Sequence, residues 1–207
     1  MSNKFTNFRL ALDWTPNINH IGFYVAKEKG FFEELKIGIE INSPEEDNYK
    51  YSPAKKIELN LADFALCPTE SIISFRTKKQ PFNLCALATI FQSDISAIAV
   101  VKDNEINSPK DLDGKSYASY GARYEDFIIR QLIKNDGGKG NVKIHYPTRL
   151  GVWNTVANNK YDSTWIFLNW EGIEKPNLNF FKLCDYNIPY SYSPLTVSYT
   201  HPPSPRD

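Results

Sequence analysis

Four groups of residues in this sequence have types and spacings that could do chemistry. The first is Asp13-Trp14, which ends the apolar run FRLALD and is followed by Pro16, Asn17 and His20 before a helical pattern begins. An indole face and a carboxylate leaving one strand end together could stack a flat heteroaromatic ring and accept from its exocyclic amine. A core tryptophan beside an Asx turn accounts for the same residues, so both readings stand. Asn17 and His20 could hydrogen-bond a ligand from the turn, although a lone histidine near a helix start serves structure about as often.

The second group is Glu70, just past the strand end Cys67-Pro68, where the helix dipole alone also favours a carboxylate. The third is Tyr120-Gly121-Ala122-Arg123, a strand-to-helix turn. There the glycine permits a tight bend, helix N-terminal amides point outward, and Arg123 could clamp an anion or pair with Glu125 or Asp126. The fourth is Asn169-Trp170-Glu171 at a later strand end, where a second stacking wall is expected; Tyr190 and Tyr192 follow on a return segment. Trp153 and Trp165 are expected in the core. His20, His145 and His201 have no mutual metal spacing, and Cys67, Cys85 and Cys184 form no CxxC, so no metal site is expected.

These groups fall at junctions of alternating strands and helices. Strands are expected at 8–13, 37–42, 62–68, 84–91 and 96–101, with helices at 20–35, 54–62 and 70–77 between the earlier ones. The first helix is expected to bury Ile21, Tyr24, Val25, Phe31 and Phe32, and Thr69 is a candidate cap for the third. A second block follows, with strands at 117–120, 142–147 and 162–169 and helices at 123–134 and 151–159; Phe127, Ile128 and Leu132 are expected inward. Such alternation predicts a mostly parallel sheet in each of two lobes, with a ligand cleft between them. The first lobe is expected over 1–93 with a return segment near 186–196, and the second over 94–185.

Lysine plus arginine balance aspartate plus glutamate at 24 each, and no basic stripe appears, which argues against nucleic acid as a partner. The amino terminus has no charged leader before an apolar run, and no stretch approaches a membrane span. As written, the chain reads as cytoplasmic with reduced thiols; with an incomplete amino terminus it would be periplasmic or at the cell surface. The segment from Val197 onward, VSYTHPPSPRD, reads as vector-like sequence that does not pack.

The blocks LDWTPNINHIGFYVAKEKGFF, ADFALCPTESIISFRTKKQPF and SPKDLDGKSYASYGARYED resemble the thiamine-pyrimidine-precursor branch of the type 2 periplasmic-binding-protein superfamily. The likeness runs over about residues 8–195. It implies an α/β, two-lobed, type 2 periplasmic-binding-protein-like fold, here C-terminally truncated. The branch holds pyrimidine-binding proteins of ABC importers and also thiamine pyrimidine synthases. In the synthases, the turn matching ADFALCPTES holds pyridoxal phosphate on a lysine and spends a histidine, and a turn like 120–123 holds the cofactor phosphate. The matching positions here are Cys67 and Ser71, so the imine-forming amine is missing. The resemblance thus implies binding of a thiamine pyrimidine precursor without a cofactor, with an ABC permease as partner. The alternatives are a synthase using pyridoxal phosphate and iron, and an intracellular ligand sensor.

Overall fold

A computed structural model describes residues 5–102, 105–175, 177–190, 192 and 194–198. The chain divides into two compact units, Met1–Ser93 with Ser191–Asp207, and Asp94–Tyr190.

In the first unit the order is β1 (Thr6–Ala11), α1 (Ile21–Glu28), α2 (Phe31–Glu34), β2 (Ile37–Asn42), α3 (Pro53–Glu58), β3 (Phe64–Leu66), α4 (Thr69–Thr77) and β4 (Leu84–Thr89). The second unit holds β5 (Ser96–Val101), β6 (Ser116–Ala118), α5 (Glu125–Asn135), β7 (Lys143–His145), α6 (Val152–Ala157), β8 (Ser163–Phe167), α7 (Glu171–Glu174) and β9 (Leu178–Lys182). The chain then returns to the first unit as β10 (Pro194–Ser198).

Among the described residues each unit has a five-stranded sheet, ordered β2-β1-β3-β10-β4 in the first and β7-β6-β8-β5-β9 in the second. The sheets are mostly parallel, as expected: in each, four of the five strands run one way and one runs against them. β1 runs parallel to β2 and β3, and β6 to β7 and β8, but β10 is antiparallel to β3 and β4, and β5 to β8 and β9. The antiparallel members follow from connectivity, because β5 and β10 leave and re-enter without a helical crossover.

Burial along β1 rises toward its carboxyl end, from exposed Thr6 and Asn7 to fully buried Leu10 and Ala11, with Leu12 buried beyond. Leu10, Leu12 and Leu66 form one small core with Phe23 and Tyr24 of α1 packed on it. The first helix differs from expectation. Gly30 adopts φ 75° and splits it, and Ile21, Val25 and Phe31 are exposed, while Phe23 and Tyr24 face the sheet. The residue that was expected to cap α4, Thr69, lies inside it; Pro68 takes the cap position without a side-chain hydrogen bond.

In α5 the face is rotated too. Ile129, Leu132 and Ile133 are buried at helical spacing, each worth about 1.5–3 kcal/mol of transfer energy, whereas Phe127 is 74% exposed. Trp165 sits in the core of the second unit as expected. Trp153 is half-buried against the small core around Val152 and Val156, and its Nε1 donates to Glu174 (2.7 Å). Val197 and Ser198 pair with Cys85 and Leu84, so the expected non-packing tail does not begin at 197. Residues 199–207, where the rest of that expectation falls, lie outside the described residues.

Candidate functional site

The connections locate the site in each unit. From β1 the chain crosses to β2 on one side, then returns by α3 to β3 on the other, so the strand order reverses between β1 and β3. The second unit repeats this with β6, β7 and β8, and its order reverses between β6 and β8. Crevices at such reversals, beyond the carboxyl ends of the strands, are where open α/β sheets bind ligands. Asp13 and Trp14 follow β1, and Cys67 and Glu70 follow β3. Tyr120 and Gly121 follow β6, and Asn169, Trp170 and Glu171 follow β8.

At the first reversal the turn after β1 is tightly built. The Asn17 side-chain oxygen Oδ1 accepts from the Asn19 N–H (2.9 Å), and its Nδ2 donates to the Thr15 carbonyl (2.8 Å). Asn17 therefore shapes the turn, with one bond from each end of its side-chain amide held within it. His20 is fully buried. Its Nδ1 accepts from the Asn17 N–H (3.2 Å), which places the neutral ring's proton on Nε2, donated to Asp13 Oδ1 at 2.8 Å. His20 thus fixes the Asp13 carboxylate, whose side chain is 11% exposed. Half-buried Trp14 lies beside it and meets Tyr49, with ring centroids 5.4 Å apart and planes tilted by 58°.

Cys67 faces the same corner, with Asp13 and Glu70 close enough to act on it electrostatically. Burial pushes its thiol up to about 12, the two carboxylates add to this, and the Thr196 hydroxyl opposes it. Thr196 Oγ1 donates to the Ala65 carbonyl (3.0 Å), so the thiol donates to Thr196 Oγ1 across 3.0 Å. A buried thiol held this way is not a nucleophile. Alkylation of the native protein at pH 8 is therefore expected at exposed Cys184 and, at Cys67, only after unfolding. Peptide mapping checks this; labelling of Cys67 at the rate of Cys184 would contradict it.

Two residues at this mouth carried no clear sequence signal. Asn19 is buried, donates to the Tyr192 hydroxyl (3.4 Å), and encloses a carbonyl oxygen with no hydrogen-bond partner among the described residues. Tyr192, stacked on Phe91, is buried in this unit. The other is Tyr49, which lies in a loop that reads as merely polar.

At the second reversal the turn after β6 is filled from within. Buried Glu125 accepts from the Tyr117 hydroxyl (2.7 Å) and from the N–H groups of Tyr120 (3.1 Å) and Ala122 (3.1 Å), while the Gly121 N–H donates to Ser119 Oγ (3.0 Å). Burial pushes the Glu125 carboxyl up, and these donors pull it back. The amides expected to cradle an anion are thus already engaged by the protein's own oxygens. Gly121 adopts φ 69°, the conformation the bend requires, and Arg123 lies exposed beyond it.

Half-buried Tyr120 stands near Glu171, Glu125 and Glu174. Burial pushes Glu171 up to about 7, Glu174 adds to this, and the Phe167 N–H (3.0 Å from Oε2) opposes it. Asn169 Oδ1 is enclosed without a hydrogen-bond partner among the described residues, and Trp170 is half-buried at the start of α7. Tyr190 packs edge-on against Trp165 (5.0 Å, 69°), which makes it part of the core margin.

Each of the two units thus has the same order reversal, with polar and aromatic residues beyond its strand ends. The family described as NMT1/THI5 like matches residues 17–201. The chain belongs to the NMT1/THI5-like family. Within reach of this NMT1/THI5-like chain is the formylaminopyrimidine-binding protein of Halalkalibacterium halodurans, 23% identical over 188 residues, which are 87% of this chain and 54% of that protein. The chain thus spans about half the length of that relative. The aliphatic sulphonate binding protein SsuA of Escherichia coli superposes with a TM-score of 0.69 at 14% identity, covering 94% of this chain and 65% of SsuA. The alkanesulfonate-binding SsuA of Xanthomonas axonopodis gives 0.68 at 10% identity, with 95% and 67% covered. The fold is that of the type 2 periplasmic solute-binding proteins.

The two turns that hold pyridoxal phosphate in the synthases the sequence resembles differ here. Cys67 cannot form the imine, and the 120–122 amides are taken by Glu125 and Ser119. Among the described residues no group of three or more His, Cys, Asp or Glu could hold a metal ion, and no helix is long and apolar enough to cross a membrane.

Proposed function

We propose that this chain binds a small, flat, unphosphorylated heteroaromatic metabolite, a thiamine pyrimidine precursor, as the substrate-binding component of an ABC-type importer. The observation behind this reading is Trp14 beside an Asp13 carboxylate that buried His20 holds in place, at the order reversal of the first sheet. The indole gives a stacking face, and an aspartate so oriented accepts from an exocyclic ring amine. The formylaminopyrimidine-binding relative supports the ring, and the turn at 120–122, its amides engaged by Glu125 and Ser119, offers no amide cradle for a phosphate. An ABC permease as partner is proposed from the fold.

Titration calorimetry with formylaminopyrimidine and hydroxymethylpyrimidine tests the reading. Trp14→Ala is expected to weaken binding by about 1–3 kcal/mol, the scale of base–aromatic stacking, and Trp14→Phe to recover part. A tryptophan that served only the core would instead lose about 3–5 kcal/mol of folding stability with affinity unchanged in the folded fraction. That second pattern sinks the proposal.

A further inference from the structure

The loop between β2 and α3 is built to an unusual design. Ser43 and Glu46 cap its short helical turn reciprocally, with the Ser43 N–H donating to Glu46 Oε1 at 2.8 Å. Two consecutive residues then turn left-handed, Asn48 at φ 53° and Tyr49 at φ 58°. Asparagine tolerates that region. A bulky aromatic residue there is an outlier, because its Cβ crowds the backbone. The conformation is pinned from several sides. The Tyr49 N–H donates to the Pro44 carbonyl (2.8 Å), the Lys50 N–H to Asp47 Oδ1 (3.1 Å), and the buried Lys56 ammonium pairs with Asp47 Oδ2 at 3.2 Å. A buried lysine is seldom spent on holding an ordinary surface loop.

What the strained backbone achieves is contact: it lays the Tyr49 ring against Trp14, with centroids 5.4 Å apart. No ring can slip between them, since a sandwiched ring needs walls about 7 Å apart, twice the contact separation of carbon atoms. From this geometry we infer that Tyr49 is a positioning residue for the ligand site. It backs the indole and fixes the plane on which a flat heteroaromatic ring stacks, and the left-handed Asn48–Tyr49 pair exists to deliver it. The inference rests on the function proposed above and adds the residue that sets the orientation of its stacking face.

Glycine is the residue best suited to φ 58°, so Tyr49→Gly removes the ring without adding strain. It is expected to weaken hydroxymethylpyrimidine binding by about 2- to 10-fold, the worth of an aromatic pair, with Tyr49→Phe close to wild type. Because Tyr49 acts through Trp14, the same change in a Trp14→Ala background is expected to alter affinity less than about 2-fold, a non-additivity typical of contacting residues. Asn159→Gly, at a left-handed position of the second unit (φ 58°), is the control and is expected to bind like wild type. The near-ultraviolet dichroism band that Trp14→Phe removes should also change in Tyr49→Gly. Full affinity with an unchanged band in folded Tyr49→Gly overturns the inference and leaves the proposed function standing. So does an equal loss in both backgrounds. Absence of wild-type binding to either hydroxymethylpyrimidine or formylaminopyrimidine overturns both.

Discussion

Glu125→Ala is expected to destabilise the second unit by about 3–5 kcal/mol, at about 1–3 kcal/mol for each buried donor left without an acceptor. Three donors lose their partner: the Tyr117 hydroxyl, which is fully buried, and the backbone N–H groups of Tyr120 and Ala122. Ala122 is exposed, so water recovers part of its share. Urea unfolding monitored by circular dichroism measures the loss. The variant also tests what the turn is. If Glu125 stands in an anion cradle built by the turn's own amides, acetate should raise the melting temperature of Glu125→Ala above that in chloride at equal ionic strength, and leave wild type unmoved. Glu125→Gln, which retains one carbonyl acceptor, should fall between the two. A loss under about 1 kcal/mol would show that the turn holds without this carboxylate.

That cradle shows where sequence reading succeeds and where it stops. The turn 120–123 was legible as a strand-to-helix junction with a glycine and candidate anion donors. Its occupant was not, because Glu125 reads equally well as a first-turn residue of α5. The same limit appears at Asn17 and His20. Their types announced hydrogen bonding at a strand end, but only the backbone geometry assigns those bonds to the turn and to Asp13.

Strands β2 and β5 were legible to the residue, since alternation marks one and a short apolar run bounded by polar residues marks the other. Helix phase was less so. Phe127 is as apolar as Ile129 but lies two positions away, about 200° around the helix, so both faces of α5 carry an apolar residue and the letters do not say which is buried. β9 and β10 were missed because LNFFK and PLTVS are short runs beside prolines, and their strand character comes from antiparallel neighbours far away in sequence. Tyr49 was invisible for a related reason. Nothing in the letters Asn-Tyr announces two successive left-handed residues; the pinning contacts from Pro44, Asp47 and Lys56 impose them.

Glu171→Gln is expected to be more stable than wild type at pH 8 by up to about 3 kcal/mol, with the difference vanishing toward pH 4. Burial raises the Glu171 carboxyl to about 7 from its ordinary 4.5, so between those values the folded chain keeps a proton that the unfolded chain has released. Stability on this account is therefore present below pH 4.5 and declines as pH rises through 7, at about 1.4 kcal/mol per unit. Glutamine cannot ionise, and its carbonyl oxygen can still accept from the Phe167 N–H that Glu171 now engages. Glu125, also raised, contributes in the same direction, while the lowered carboxyls of Glu58, Asp111 and Asp113 contribute in the opposite one. The difference between Glu171→Gln and wild type isolates the one group. Chemical unfolding of both proteins from pH 4 to 8 decides the matter: a stability difference that does not change with pH would mean that Glu171 ionises as freely folded as unfolded.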